Sequence, residues 1–243
     1  MRSLQLDGKS IVTVVDRPDP TPGPGEVVIE TAISALCGSE LHAFRGDGVK
    51  KGNSGHEAVG TVVQVGSDVS NLTVGHRVGA SAIAGCGRCV YCAKGQFTWC
   101  PDRKFYGGMH AERYLAAAHA CYPLPEDISW EAGVLITGDG MGVPFHTSLK
   151  IASPEIETVA VFGVGPIGLG HVLMQAHLGR RVIAIDVVAG RLAAAEALGA
   201  GESVNAGDGD PVAHVRQLTG GVGPDVCIEA AGRPETALAC FSA

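Results

Sequence analysis

The chain has 243 residues, which is long enough for one large domain or two smaller ones with a buried core. Hydrophobic residues make up 46% and charged residues 18% of the composition, as is usual for a soluble globular enzyme. A formal net charge of -7 and the lack of any Lys/Arg run argue against nucleic acid and anionic membrane surfaces as partners.

The N-terminal residues 1–16 contain neither the apolar core nor the cleavage site of a secretory signal. Charged residues interrupt every apolar run before it reaches the length of a membrane span. We therefore expect a cytoplasmic protein whose cysteines stay reduced, and this expectation disfavours a disulfide cluster.

The first half of the chain alternates short β-like runs with turn residues. These runs cover residues 11–15, 26–37, 57–66 and 77–84. The proline-rich residues 17–25 form a loop that cannot enter the interior of a sheet. This half is predicted to be a small, irregular β-barrel with long loops.

Four cysteines lie close together within one loop of this half, Cys86, Cys89, Cys92 and Cys100. Thiols separated by two residues can converge on one tetrahedral cation, so the spacing favours a structural zinc. An iron–sulfur cluster and a metal-free loop are the alternatives, and the last gap is too long for the ferredoxin pattern. Because thiolates fill all four positions, this zinc would hold the loop together and would not meet substrate.

From Trp130 the periodicity changes, and residues 131–152 are predicted to be a helical connector interrupted by glycines. Strands and helices then alternate, which indicates a doubly wound parallel sheet. The predicted strands cover residues 159–163, 181–186, 202–205 and 225–232. The predicted helices cover residues 164–179, 189–200 and 210–220.

A glycine-rich turn follows the first of these strands and opens a helix, which is the context of a dinucleotide-binding site. Its first glycine makes the turn, the second allows a pyrophosphate to approach, and the third allows close helix packing. Asp186 ends the next strand, where it can bind a ribose 2'-hydroxyl and repel a 2'-phosphate, so NAD is favoured over NADP. The alternative is a turn without function. The predicted cofactor residues are Gly163, Gly165, Pro166, Ile167, Gly168, Asp186, Arg191, Ala230 and Gly232.

Taken singly, Cys37, His56 and Glu57 could be ordinary buried residues. Together with the other motifs, however, they make the chain resemble the zinc-dependent medium-chain alcohol dehydrogenases. The matching stretches are CGSELH (37–42), GHEAVGTVVQVG (55–66), the four-cysteine loop, GVGPIG (163–168) and the strand ending at Asp186. The resemblance implies a GroES-like zinc-binding catalytic domain over 1–150 and a Rossmann NAD-binding domain over 151–243.

The resemblance also implies a catalytic zinc, held by Cys37 and His56 with Glu57 as a nearby or exchangeable ligand. The third protein ligand is Cys in many members and Asp in others, and the stretch LITGDGMGVPFHTS matches the Asp-bearing form through Asp139. An acid in a plain Gly-Asp-Gly turn is the alternative for Asp139. Ser39 and His42 hold the positions of the family's proton relay, although His42 could instead be a surface histidine.

A member of this family would use two zinc ions and NAD to interconvert a small-molecule alcohol and its carbonyl compound, and would form a dimer or tetramer. The Asp-type third ligand favours a secondary alcohol or polyol. The family's sheet has six strands, whereas this chain supplies about four before Ala243, so we expect a C-terminally short member with an incomplete Rossmann domain. The alternatives are a zinc- and nucleotide-binding remnant without turnover and a zinc-free quinone reductase, the latter disfavoured because every metal position is filled.

Overall fold

The computed structural model of the chain describes residues 1–50 and 52–243. They form two compact units, Met1–Asp139 and Gly140–Ala243, each with its own sheet and core. Within these described ranges, no helix is both long and apolar enough to cross a membrane.

The first unit is built mainly from β-strands. Its strands are β1 (Arg2–Gly8), β2 (Ile11–Asp16), β3 (Glu26–Ala35), β4 (Glu57–Val65), β5 (Arg77–Ala80), β6 (Ile83–Ala84), β7 (Lys104–Phe105), β8 (Arg113–Ala117) and β9 (Cys121–Pro123). Its helices are α1 (Leu41–Arg45), α2 (Val90–Ala93) and α3 (Trp130–Thr137). Short 3-10 turns cover Gly38–Glu40, Phe97–Trp99 and Ala118–Ala120.

Five of these strands form one antiparallel sheet in the order β8-β3-β4-β5-β9. The pairing of β3 with β4 shifts register twice, and such bulges bend and twist a strand pair, so the sheet is curled. One face of the sheet buries an apolar core that includes Val27, Ile29, Val62, Val78 and Tyr114. The curled sheet confirms the irregular β half predicted from the sequence.

The predicted strand over 77–84 breaks in the middle, because Ser81 makes hydrogen bonds to its neighbour that a continuous strand would not allow. Its hydroxyl accepts from the amide of Ile83 at 3.2 Å and donates to the carbonyl of Ile83 at 3.0 Å. The strand predicted to reach Cys37 ends at Ala35, and Cys37 instead begins the 3-10 turn Gly38–Glu40. The sequence pattern does not predict strand β1, because its inward positions include Ser3 and Gly8 and thus give little apolar alternation.

The second unit alternates strands and helices. Its strands are β10 (Thr158–Phe162), β11 (Arg181–Asp186), β12 (Glu202–Asn205) and β13 (Val226–Glu229). Its helices are α4 (Asp139–Lys150), which begins at the last residue of the first unit, α5 (Pro166–His177), α6 (Ala189–Ala197), α7 (Pro211–Leu218) and α8 (Pro234–Ser242). Helix α8 is an element that the sequence pattern does not predict.

The four strands of this unit are parallel and lie in the order β12-β11-β10-β13. This is the third, second, first and fourth strand in chain order, as expected for a doubly wound sheet. Alternate residues of β10 enter different cores, Val159 and Val161 on one face and Ala160 and Phe162 on the other. The parallel sheet confirms the prediction for the second half. The carboxyl ends of β10, β11 and β13 meet at one edge of it.

Candidate metal centres and nucleotide site

The four cysteines of the loop between β6 and β7 converge on one point. The sulfurs of Cys86, Cys89, Cys92 and Cys100 all lie within 4.8 Å of one another. The sulfur of Cys92 lies 3.5 Å from that of Cys89 and 4.0 Å from that of Cys86. Four thiolates bound to one zinc would be about 3.8 Å apart, given a Zn–S distance of about 2.3 Å and tetrahedral angles. The geometry and the donor set therefore fit a closed zinc site.

The backbone before Cys86 is shaped to let the sulfurs approach. A Cβ atom on Gly85 would come within 2.3 Å of the sulfur of Cys92, so only glycine leaves room there. His119 supports the backbone at Gly85, because its Nε2 donates to the carbonyl of Gly85 at 2.9 Å. Its ring also packs edge-on against Phe97. The sequence does not indicate this role of His119, which is 34 residues from Gly85.

Two thiols of this loop have pKa values shifted in opposite directions. The backbone amide of Arg88 is the main cause that lowers the pKa of Cys86 to about 6. Desolvation, followed by hydrogen bonds with the neighbouring sulfurs, raises the pKa of Cys92 to about 11. A divalent cation would bring all four cysteines to the same thiolate state, because coordination deprotonates each thiol.

A second cluster joins Cys37, His56, Glu57 and Asp139, whose ligand atoms also lie within 4.8 Å of one another. The Oδ2 atom of Asp139 is 3.7 Å from the sulfur of Cys37 and 3.8 Å from the Nε2 atom of His56. Ligand atoms on one tetrahedral zinc are about 3.3–3.6 Å apart when nitrogen, oxygen and sulfur are mixed. The four side chains thus need only a small inward movement to share one metal ion.

Three separate segments bring this cluster together. Strands β3 and β4 pair Ala35 with Glu57, which places Cys37, just beyond the end of β3, beside the start of β4. Asp139 is the first residue of α4, directly after the break at Gly138 between α3 and α4, and this glycine allows the chain to pass close to the cluster. A Cβ atom on Gly138 would lie 2.5 Å from the Oε2 atom of Glu57.

The two carboxylates of the cluster differ in their surroundings. Glu57 is buried, and its Oε2 atom accepts a hydrogen bond from the backbone amide of Asp139 at 3.2 Å. Burial, and then the negative charge of Asp139, raise the pKa of Glu57 above its ordinary value. The Asp139 side chain is 49% exposed and has no such backbone bond in the described part of the chain, so it is the freer of the two to turn toward a metal.

Ser39 lies in the 3-10 turn after Cys37, His42 lies in α1, and both are exposed. Among the described residues, no hydrogen bond joins their side chains. The structure therefore brings Cys37, His56, Glu57 and Asp139 together, and leaves Ser39 and His42 at the solvent side without a direct link.

Glu40 and His110 form a contact that sequence reasoning missed. Glu40 is buried and its Oε2 atom forms a hydrogen bond of 3.2 Å with the Nε2 atom of the equally buried His110. Burial acts to raise the pKa of Glu40, but hydrogen bonds from His110, Cys37 and Gly55 outweigh it and lower this pKa to about 2. A carboxylate three residues after Cys37 was the available signal, whereas His110 has no metal-ligand spacing to any other histidine.

The glycine-rich turn after β10 leaves space at the carboxyl edge of the parallel sheet. A Cβ atom on Gly168 would lie 1.9 Å from the carbonyl oxygen of Gly163, and one on Gly163 would meet the backbone of Ala231 at 2.6 Å. A Cβ atom on Gly165 would meet nothing within 4 Å, so open space lies at the amino end of α5. This is where a helix N-terminus can bind a phosphate.

A cavity of about 480 Å³ extends from this turn, and its lining includes Gly163, Gly165, Asp186, Arg191 and Ala230. Of the other predicted cofactor residues, Pro166, Ile167 and Gly168 form the first turn of α5, and Gly232 takes a left-handed conformation in the turn after β13.

Asp186 is buried at the end of β11, and hydrogen bonds from nearby backbone amides hold its carboxylate in place. Its Oδ2 atom accepts from the amide of Val164 at 2.9 Å, and its Oδ1 atom accepts from the amides of Val187 and Val188 at 2.8 and 2.9 Å. The guanidinium of Arg191 lies 3.6 Å from Oδ2. The carboxylate is thereby fixed at the cavity wall, and of its about four acceptor sites about one, on Oδ2, is left for a ribose hydroxyl.

Comparison with known families gives two matches. The family model for the alcohol dehydrogenase GroES-like domain matches residues 23–126, and that for the zinc-binding dehydrogenase domain matches residues 166–243.

Curated relatives agree with these matches. The zinc-type alcohol dehydrogenase-like protein YdjJ of Escherichia coli K12 is 31% identical, over 96% of this chain and 70% of its own length. An alcohol dehydrogenase of Moraxella sp. TAE123 is 34% identical over 90% of this chain, which spans only 65% of that relative. The sorbitol dehydrogenase of Bacillus subtilis 168 is 28% identical over 96% of this chain and 69% of the relative.

Solved structures show the same fold. Galactitol-1-phosphate dehydrogenase from Escherichia coli superposes with a TM-score of 0.89 at 28% identity, covering 100% of this chain and 72% of that chain. A protein of Escherichia coli CFT073 described as a short chain alcohol dehydrogenase, complexed with NADH, superposes with a TM-score of 0.87 at 27% identity, and the match covers 100% of this chain and 73% of that chain.

Proposed function

This chain belongs to the zinc-dependent medium-chain alcohol dehydrogenase family, and from that premise we propose that it transfers a hydride between an alcohol and NAD at a zinc centre. One observation carries the proposal, the convergence of Cys37, His56 and Asp139 from three separate segments. A thiolate, an imidazole and a carboxylate are the donor types of catalytic zinc sites, which keep a further position open for substrate.

The residues of this centre would hold the metal in unequal ways. Cys37, His56 and Asp139 are proposed as the ligands. The buried Glu57 is proposed as an exchangeable ligand, since its Oε2 atom already accepts a hydrogen bond from the amide of Asp139. When bound, zinc would act as a Lewis acid on the substrate oxygen, and NAD would accept the hydride. Cys86, Cys89, Cys92 and Cys100 are proposed to hold a second, structural zinc.

The chain's own residues must also remove a proton from the alcohol. Ser39 and His42 are proposed for this step, because a hydroxyl and an imidazole can pass a proton between a substrate and solvent. Their exposure supports the solvent end of such a path.

The substrate class proposed is a secondary alcohol or a polyol. Two relatives support this choice by their own substrates, the sorbitol dehydrogenase and the galactitol-1-phosphate dehydrogenase described above. Assembly into a homodimer or homotetramer belongs to the same proposal. So does a cytoplasmic location, which the eight free cysteines support.

The experiment that tests this proposal combines metal analysis with turnover. We expect two zinc ions per chain and NADH production with members of a panel of primary, secondary and polyhydric alcohols. Bound zinc and NAD without turnover on any of them would contradict the proposed activity and favour a binding remnant. A chain without metal that reduces quinones with NADPH would place it in the zinc-free branch instead.

The proposed preference for NAD predicts the effect of replacing Asp186. In the Asp186→Ala variant, the ratio of kcat/KM with NAD to that with NADP should fall about 10- to 100-fold, because a hydrogen bond to the ribose and the repulsion of a 2'-phosphate are both lost. Steady-state kinetics with both cofactors would measure the ratio. Asp186→Asn is the matched control for folding, since its amide oxygen can still accept from the amides of Val187 and Val188, although its NH2 group cannot accept from that of Val164. An unchanged ratio in both variants would remove Asp186 from the cofactor site.

A further inference from the structure

Glu40 is a buried side chain that touches two of the segments that carry the candidate metal ligands. Its Oε2 atom accepts from the backbone amide of Cys37 at 3.0 Å, and its Oε1 atom accepts from the backbone amide of Gly55 at 2.7 Å. Gly55 directly precedes His56. One carboxylate therefore links the backbone of the thiolate ligand to that of the imidazole ligand, with only 6% of Glu40 exposed.

His110 completes the arrangement around Glu40. Its Nε2 atom lies 3.2 Å from the Oε2 atom of Glu40, and because an ionised carboxylate can only accept, Nε2 is the donor. The Nδ1 atom of the same ring shares a hydrogen bond of 2.9 Å with the hydroxyl of Ser34. His110 is 6% exposed, and its ring is held by hydrogen bonds at both nitrogens.

The backbone around His110 also supports the segment that carries His56. The amide of His110 donates to the carbonyl of Ser54, and the amide of Met109 donates to the carbonyl of Gly55, both at 3.2 Å. Gly55 has a φ of +103°, and a Cβ atom there would lie 2.4 Å from the amide nitrogen of His110. The two segments are therefore in direct backbone contact.

We propose that the buried Glu40–His110 pair positions the metal centre, by setting the separation between Cys37 and His56. This inference rests on the proposed function, since it assumes that the centre binds a metal. Glu40 and His110 are not among the four clustered ligand residues, and they would act only through the backbone of the ligand segments. Without the carboxylate, the two amides would face a group that cannot accept from both, and the ligand segments would separate.

The length of the Glu40 side chain is part of the proposal. Its carboxylate reaches three partners at once, the amides of Cys37 and Gly55 and the ring of His110. An aspartate at this position would be shorter by one methylene group, so it could keep the charge but not all three contacts. Glu40→Asp should therefore restore part of what Glu40→Gln loses.

Cobalt binding tests the inference separately from turnover. The metal-free full chain would be loaded with Co²⁺, whose visible absorption distinguishes the one-thiolate centre from the four-thiolate centre. Glu40→Gln should weaken Co²⁺ binding at the Cys37 centre about 10- to 100-fold and change its bands, since loss of supporting hydrogen bonds typically costs that much metal affinity. The bands of the four-thiolate centre should not change.

The other variants separate positioning from a general loss of stability. Glu40→Asp should lie between Glu40→Gln and the unaltered chain, and His110→Leu should weaken binding more than His110→Gln, which keeps a donor. Glu155→Gln, at an exposed carboxylate, is the control and should match the unaltered chain. Thermal unfolding would be recorded for each variant.

Two results would overturn the inference. The first is a Glu40→Gln chain with unchanged Co²⁺ affinity and bands, even if its unfolding temperature falls. The second, which applies if Glu40→Gln does not fold, is a Glu40→Asp or His110→Leu chain with unchanged affinity and bands. A chain that shows the predicted cobalt behaviour but oxidises no alcohol would contradict the proposed function and leave this inference standing.

Discussion

Replacing Cys37 by serine should abolish alcohol oxidation and leave the metal of the four-thiolate loop in place. The sulfur of Cys37 is the only thiolate donor in its centre, and it lies 3.7 Å from Asp139. Metal assistance to such a reaction is worth several kcal/mol, so its loss should lower kcat/KM by about 10³-fold or more. NADH production and zinc content per chain would be measured together, and zinc should fall from two ions to one.

A matched control for this variant is Cys240→Ser, which removes a half-buried thiol outside both clusters. It should keep both metals and its turnover. The proposed division into a catalytic and a structural metal would be wrong if Cys37→Ser lost both ions, or if it kept turnover within about tenfold of the unaltered chain.

Replacing Cys92 by serine should destabilise the first unit far more than replacing Cys37. The sulfur of Cys92 contacts those of Cys86 and Cys89, and the loop around it has few regular elements to hold it without a metal. Binding of a structural zinc contributes directly to folding, and a loss of about 3–5 kcal/mol should lower the unfolding temperature by about 10 °C.

Circular dichroism during heating, with zinc analysis before it, would measure this effect. A strong chelator added to the unaltered chain should produce a similar shift, whereas Cys37→Ser without chelator should unfold near the unaltered temperature. Equal unfolding temperatures for Cys92→Ser and Cys37→Ser would contradict the proposed division into one structural and one catalytic metal.

Sequence reasoning succeeds where the interactions are local or periodic. The spacing of Cys86, Cys89, Cys92 and Cys100 predicts a cluster because a loop of this length closes on itself. The strand ending at Asp186 is predicted with the same bounds that the structure gives, since β11 is a continuous buried run between turns. Both regularities can be read within a short window of the chain.

What the sequence does not reveal depends on contacts between distant segments. Glu40 and His110 are 70 residues apart, and nothing in either local pattern shows that they meet. Likewise, β7 has only two residues, and its pairing with β6 is set by the tertiary fold and not by its own pattern. Asp139 is identified in the sequence only through resemblance, because its segment also fits an ordinary turn.

The closeness of Gly138 to the buried acid has a consequence for redesign. The Cβ atom of any other residue at 138 would lie 2.5 Å from the carboxylate of Glu57 on one side and 2.7 Å from the carbonyl oxygen of Val134 on the other. Libraries that exchange the ligand at 139 for cysteine or histidine would therefore do best to leave its predecessor unvaried. Most substitutions at 138 would abolish metal binding, so the effect of a new donor at 139 could not be measured in those chains.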